Sequence, residues 1–143
     1  MIFGNGRQAG GGPNVARQIV RRAGLPDSVP AYTVNKACAS SLKCIALAAQ
    51  SIVAGEADVI VAGGTESMTR LPFLLDRERT GYRLGHAEVI DAMYRDGFLC
   101  PLCGELMGET AENLAEKYSI ARLEQDQYAL ESQQRCERAR ASG

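Results

Sequence analysis

The segment from Pro30 to Ala62 restricts the fold more than any other part of the chain. Pro30-Ala31-Tyr32-Thr33-Val34 is strand-like. Leu42, Ile45, Ala46, Ala49, Ile52 and Val53 then recur at spacings of three and four, which predicts a helix over 39–54 with one wide apolar face. Gly55 ends it, and Asp58-Val59-Ile60-Val61-Ala62 follows as a continuous apolar run, the pattern of a strand covered on both faces. Strand, helix and strand at these lengths read as a parallel crossover unit, so the chain belongs to the α/β class.

The flanking segments agree. Met1-Ile2-Phe3 reads as a short strand, and Gly4 to Gly12 as a glycine-rich turn. Pro13 and Asn14 open a helix over 15–23, which Gly24 stops and Pro26 keeps from continuing. After Met68 the pattern becomes irregular. Thr69 to Gly104 is broken by Pro72, Gly81, Gly85, Gly97, Pro101 and Gly104, and a stretch this long without clear structure marks a functional or inserted subdomain. Two helices are expected after it, over 110–118 and 123–141. The resulting division is 1–68, a layered core; 69–109, a loop subdomain; and 110–143, helices of that subdomain or of the return to the core.

Cys38 sits where the Ala31–Val34 strand meets the helix. Helix N-terminal N–H groups point outward there, and together with the positive end of the helix dipole they stabilise a thiolate. Ala39, Ser40 and Ser41 are small enough for a substrate to approach the backbone. Free cysteine is also among the most buried residue types, a small hydrophobe, so position alone leaves nucleophile and core residue both open.

Other motifs carry less. The Gly4–Gly12 turn lacks the Gly-Lys-Ser/Thr ending of a phosphate loop and does not fit the dinucleotide fingerprint. Cys100-Pro101-Leu102-Cys103 has the spacing of a zinc half-site or a redox pair, but no second pair follows, and two ordinary loop cysteines is the simpler reading. No metal is expected. His86, the one histidine, reads as a surface or capping residue, and Thr110 as the cap of the helix it opens, with Glu112 near its positive end. Arg17, Arg21 and Arg22, like Arg135, Arg138 and Arg140, read as solvated helix faces.

A net charge of −1 provides no global field for nucleic acid or a membrane surface. No apolar run reaches membrane-span length, and no secretory leader is evident. Five cysteines without a regular framework fit a reducing compartment, and a cytoplasmic location is expected.

Three stretches together resemble the thiolase family: Asn35-Lys36-Ala37-Cys38-Ala39-Ser40-Ser41-Leu42-Lys43, Gly63-Gly64-Thr65-Glu66-Ser67-Met68 and Met107-Gly108-Glu109-Thr110-Ala111-Glu112-Asn113. Gly4 to Gly10 and Lys117 to Arg135 are similar to it as well. The resemblance implies a thiolase-like fold, here the N-terminal αβ half of an αβαβα layered architecture with an inserted loop subdomain. It implies acyl transfer between coenzyme A thioesters, with no cofactor beyond those substrates. Cys38 would take the acyl group as a thioester, its backbone N–H contributing to an oxyanion hole. Met107, and Leu106 where some members have histidine, would line the acyl and pantetheine pocket. Acyl-CoA is the implied partner, and a homodimer or homotetramer the implied assembly.

The family's second half supplies a histidine in a Gly-His-Pro motif and a second cysteine in a Cys-x-Gly-Gly-Gly motif, and neither motif occurs in this sequence. The expectation is therefore a truncated chain, inactive alone. Two alternatives stand beside it: a non-catalytic piece that binds acyl-CoA or pairs with a full subunit, and a β-ketoacyl carrier-protein synthase.

Overall fold

A computed structural model describes residues 1–143, which divide into two compact units, Met1–Gly97 and Phe98–Gly143. The first unit is built on a three-stranded parallel sheet of β1 (Ile2–Gly4), β2 (Tyr32–Val34) and β3 (Ala62–Gly64), in the order β2-β1-β3. Ile2 pairs with Tyr32 on one side and Ala62 on the other. Helix α1 (Val15–Arg22) connects β1 to β2, and α2 (Ser40–Val53) connects β2 to β3. The first crossover runs outward from the central strand to β2 and the second runs back across β1 to β3, so right-handed connections put the helices on opposite faces. Side-chain alternation agrees with this. Thr33 Oγ1 accepts from Ala16 N–H of α1 at 3.0 Å, whereas Ile2 and Val34 pack with Cys44 and Ala48 of α2.

Asn14 fixes the start of α1. In the left-handed region at φ 45°, its Oδ1 accepts from Arg17 N–H while its Nδ2 donates to Ala31 O at 2.9 Å, tying the helix to the approach to β2. The helix stops where expected, with Gly24 left-handed at φ 74°.

Two sequence expectations are corrected in this unit. The third strand begins at Ala62, not Asp58: its ladder with β1 starts at the Ile2–Ala62 pair, where Ile2 N–H bonds Val61 O, and 58–60 carry no ladder pairing. Val59 and Val61 are exposed, so the both-faces-covered pattern does not apply to them. Helix α2 also turns a different face to the sheet. Its buried positions are Ser40, Cys44 and Ala48, while Leu42, Ile45, Ile52 and Val53 are exposed. The three buried positions are all small, with the half-buried Leu47 packed beside them, and a helix apolar on most sides does not reveal which side meets the sheet.

The irregular stretch after Met68 contains a short 3₁₀ turn (Met68–Arg70), then β4 (Phe73–Leu74) and β5 (Ile90–Asp91) paired antiparallel, then a π-type turn over Tyr94–Phe98. Arg95 bridges Asp76 at 2.8 Å and Asp96 at 2.9 Å, and these carboxylates raise its pKa further. His86 lies exposed in the irregular run before β5 and borders no helix.

The second unit holds α3 (Met107–Lys117) and α4 (Arg122–Ser142), neither with a buried residue. Helix α3 starts three residues before the predicted Thr110. Glu109 Oε2 reaches back to Leu106 N–H at 2.6 Å, and Thr110 Oγ1 donates to Met107 O inside the first turn, so glutamate makes the cap and threonine does not.

Few side chains are fully enclosed; the buried apolar set is Ile2, Ala16, Val20, Cys44, Ala48 and Ala92. Much apolar surface is uncovered, that of α2 above all, where Leu42, Ile45, Ile52 and Val53 are exposed. No helix is long and apolar enough to cross a membrane.

Candidate active site

Cys38 stands on a turn that neighbouring side chains lock. Asn35 Oδ1 accepts from Ala37 N–H at 3.0 Å, and Asn35 Nδ2 donates to Gly6 O at 3.3 Å. The buried Ser40 hydroxyl donates to Ala37 O at 2.6 Å and accepts from Lys36 N–H at 2.9 Å, spanning the turn from both sides. Ala37 is held left-handed at φ 47°, an uncommon state for a residue with a β-carbon. The turn leaves the Cys38 thiol exposed one residue before Ala39, the N-cap of α2.

The floor beneath it is made by the carboxyl ends of β1 and β3. A β-carbon on Gly4 would lie 2.8 Å from Ser40 C and Ser41 N, so glycine is what lets the start of α2 rest on the sheet. Asn5 N–H donates to Val34 O at 3.0 Å and Thr65 N–H to Gly4 O at 3.0 Å, which joins all three strand ends. The Glu66 carboxylate accepts from Gly6 N–H, from Arg7 N–H at 3.0 Å and from Asn5 Nδ2 at 3.1 Å. Asn5 Nδ2 also donates to Thr65 O at 2.8 Å.

These elements enclose an open cavity of about 270 Å³ lined by Cys38, Arg7, Ser41, Gly64, Glu66 and Met68 among others. It lies outside the carboxyl ends of parallel strands, where open α/β sheets bind ligands. The Gly63–Met68 stretch therefore meets the Cys38 turn at one site. Arg7 brings a positive charge to the wall; its guanidinium donates to Gly97 O at 2.8 Å while Nε has no partner. The lining contains no histidine.

Leu106 and Met107 belong to the second unit, Leu106 capping α3 and Met107 opening it 47% exposed. No group of three or more His, Cys, Asp or Glu side chains is placed to hold a metal ion. Sequence reasoning did not assign roles to Arg7 or Glu66. Both lie in stretches that carried the resemblance, but they are 59 residues apart, and no local pattern signals that they meet.

A thiol exposed on a locked turn at the strand ends of a doubly wound parallel sheet places the chain in the α/β class, with its cysteine at the end of the sheet where such folds bind ligands. Residues 1–143 match the family described as "Thiolase, N-terminal domain", and the chain belongs to the thiolase family. It is 50% identical over 143 residues to a "Probable acetyl-CoA acyltransferase" of Staphylococcus aureus (strain COL), covering 100% of this chain and 36% of that protein. It is 51% identical over 144 residues to the "Acetyl-CoA acetyltransferase" of Escherichia coli (strain K12), again covering 100% and 36%. The Acat5 thiolase from Ascaris suum, solved in complex with coenzyme A, superposes with a TM-score of 0.84 at 38% identity, over 99% of this chain and 37% of that one. The chain thus spans about a third of the length of the relatives it matches.

Proposed function

We propose that this chain carries the acyl-accepting part of a thiolase-type acyltransferase. The observation that carries the reading is the exposed Cys38 thiol on its locked turn, at the mouth of a cavity built from the family's own segments. The Cys38 thiolate attacks the carbonyl of an acyl-CoA, the carbon–sulfur bond to coenzyme A breaks, and the acyl group stays on Cys38 as a thioester. The Cys38 N–H at the start of α2 contributes to the oxyanion hole. A second acetyl-CoA, or free coenzyme A in the cleaving direction, then takes the acyl group. The chemistry proceeds on coenzyme A thioesters without metal or redox cofactor.

Leu106 and Met107 are assigned to the acyl and pantetheine pocket, and residues 69–109 to the loop subdomain that covers it. A homodimer or homotetramer in the cytoplasm completes the reading. The family match favours thiolase over a carrier-protein synthase.

One observation favours a second reading, a non-catalytic acyl-CoA-binding or subunit-pairing piece: no imidazole lines the cavity to activate Cys38. Losing a member of a catalytic set removes several orders of magnitude of rate, so the chain alone is expected to acylate slowly and not to turn over.

Incubation with acetyl-CoA followed by peptide mass analysis separates the readings. Single acetylation at Cys38, absent in Cys38→Ala, supports the first. Acetylation of Cys38 no faster than of the exposed Cys136 overturns it, and coenzyme A binding without any acetyl-enzyme favours the second.

A further inference from the structure

Arg7, Arg17 and Arg95 are the half-buried arginines of the first unit. Arg17 pairs with Asp27 at 3.4 Å, and Arg95 with Asp76 at 2.8 Å and Asp96 at 2.9 Å. Arg7 has no carboxylate within ion-pair distance. Its one side-chain hydrogen bond runs from Nη2 to Gly97 O at 2.8 Å, which leaves Nε and Nη1 unbonded. Glu66 and Asp96 share cavity walls with it, and both are already held. Glu66 accepts from the N–H groups of Gly6 and Arg7 and from Asn5 Nδ2, and Asp96 accepts from Arg95 Nε. A cation drawn half out of water without a counter-charge is costly, so this arrangement calls for an anion from outside the chain.

The guanidinium is also fixed in place. The Arg7 N–H is tied to Glu66 and Nη2 to Gly97 O, and a β-carbon on Gly97 would lie 3.0 Å from Arg7 Nε, so only glycine leaves room for the side chain to lie there. Arg7 and Cys38 line one cavity. The residues just before them touch: a β-carbon on Gly6 would lie 3.4 Å from Ala37 O.

We propose that Arg7 selects acyl-CoA substrates whose acyl chain ends in a carboxylate, binding that carboxylate inside the Cys38 cavity. The inference rests on Cys38 being the acyl carrier. The phosphates of coenzyme A lie a whole pantetheine arm from the reacting sulfur, so an anion met beside Cys38 belongs to the acyl side. Nη1 donates to the far carboxylate, a charge-assisted hydrogen bond made by a donor that needs no reordering. The transfer itself is unchanged: the carbonyl carbon bonds to the Cys38 sulfur, its bond to the coenzyme A sulfur breaks, and that thiolate takes a proton from solvent. The far carboxylate keeps its charge throughout. A methyl in its place leaves the arginine without a partner.

The test compares acylation of the full chain by adipyl-CoA with hexanoyl-CoA, and by glutaryl-CoA with pentanoyl-CoA, each pair equal in carbon number and differing at the far end. Peptide mass analysis reads the rates at Cys38 and at the exposed Cys136 of the second unit. The diacid-to-monoacid ratio at Cys38, divided by that at Cys136, is expected to reach about tenfold for at least one pair, the size of one hydrogen bond to a charged group. Arg7→Lys should keep part of that preference and Arg7→Leu should lose it, with Arg7→Gln as the neutral variant should leucine prevent folding. A ratio near one for both pairs in wild type, or a preference that survives in the neutral variants, overturns the proposal and leaves Cys38 as the carrier. Acylation of Cys38 no faster than Cys136 by all four thioesters removes the carrier reading, and the proposal with it.

Discussion

The hydroxyl of Ser41 occupies the space that a β-carbon on Gly64 would need. The same hypothetical carbon would lie 3.1 Å from Gly4 O, so β3 and the first turn of α2 touch with nothing between them. Gly64→Ala should destabilise the first unit by about 1–3 kcal/mol, the usual cost of overpacking. Gly4→Ala should cost more, because it meets backbone atoms of Ser40 and Ser41 that cannot rotate away. Adding Ser41→Ala to Gly64→Ala should recover part of the loss in urea unfolding. No recovery would show that the contact does not limit the packing.

Ala37 offers the opposite case, a residue whose replacement should strengthen the fold. Its left-handed backbone costs about 1–2 kcal/mol for a residue with a β-carbon, while glycine forfeits about 0.5–1 kcal/mol of chain entropy on folding. Ala37→Gly should therefore raise stability by about 0.5–1 kcal/mol, and Ala37→Val should lower it. The unfolding midpoint should move with an unchanged denaturant slope. A lower midpoint for the glycine variant would mean the turn is not strained.

The crossover unit was legible because its signals are local: a β-branched run, a helical period, a glycine stop. The Cys38 turn was legible for the same reason, since Asn35, Ala37 and Ser40 act within a few residues of one another. The limits of β3 were not, because a strand ends where its partner does, and Ile2 fixes that from 60 residues away in the register with Ala62. The buried side of α2 was misread for a related reason. Leu42, Ile45 and Ile52 have the period of a core stripe, yet the sheet takes Ser40, Cys44 and Ala48, whose small size matters only once Gly4 and Gly64 lie opposite. The capping of α3 by Glu109 was within reach of sequence, as a glutamate three residues after Leu106, but the threonine beside it gave the more familiar signal.

Glu66 holds the Asn5–Arg7 loop against the end of β3 through three donors. Glu66→Ala should cost about 1–2 kcal/mol, because Gly6 and Arg7 N–H lose a charged acceptor but can still reach water. Glu66→Gln should cost less, keeping one acceptor oxygen while turning an amide NH₂ toward the donors. Amide hydrogen exchange gives the local readout: Gly6 and Arg7 should exchange faster in both variants, and Thr65, bonded to Gly4 O, should change least. Uniform acceleration across the sheet would show a global effect and contradict the assigned role.

Cys44 makes a pH prediction with a definite sign. It is fully buried against Ile2 and Ala48, and burial pushes its thiol pKa up. A group whose folded pKa exceeds its unfolded value stabilises the fold fully at pH below the unfolded pKa. As pH rises past the ordinary thiol range of about 8.5, the unfolded chain releases this proton first and the contribution falls, by at most about 1.4 kcal/mol per pH unit until the folded pKa is reached. The measurement is the difference between wild type and Cys44→Ala. The variant should be less stable at neutral pH, and the gap should narrow between pH 8 and 10, a window set by the ordinary thiol range of about 8.5. Parallel stability profiles across that window would mean that Cys44 does not keep its proton preferentially in the folded state.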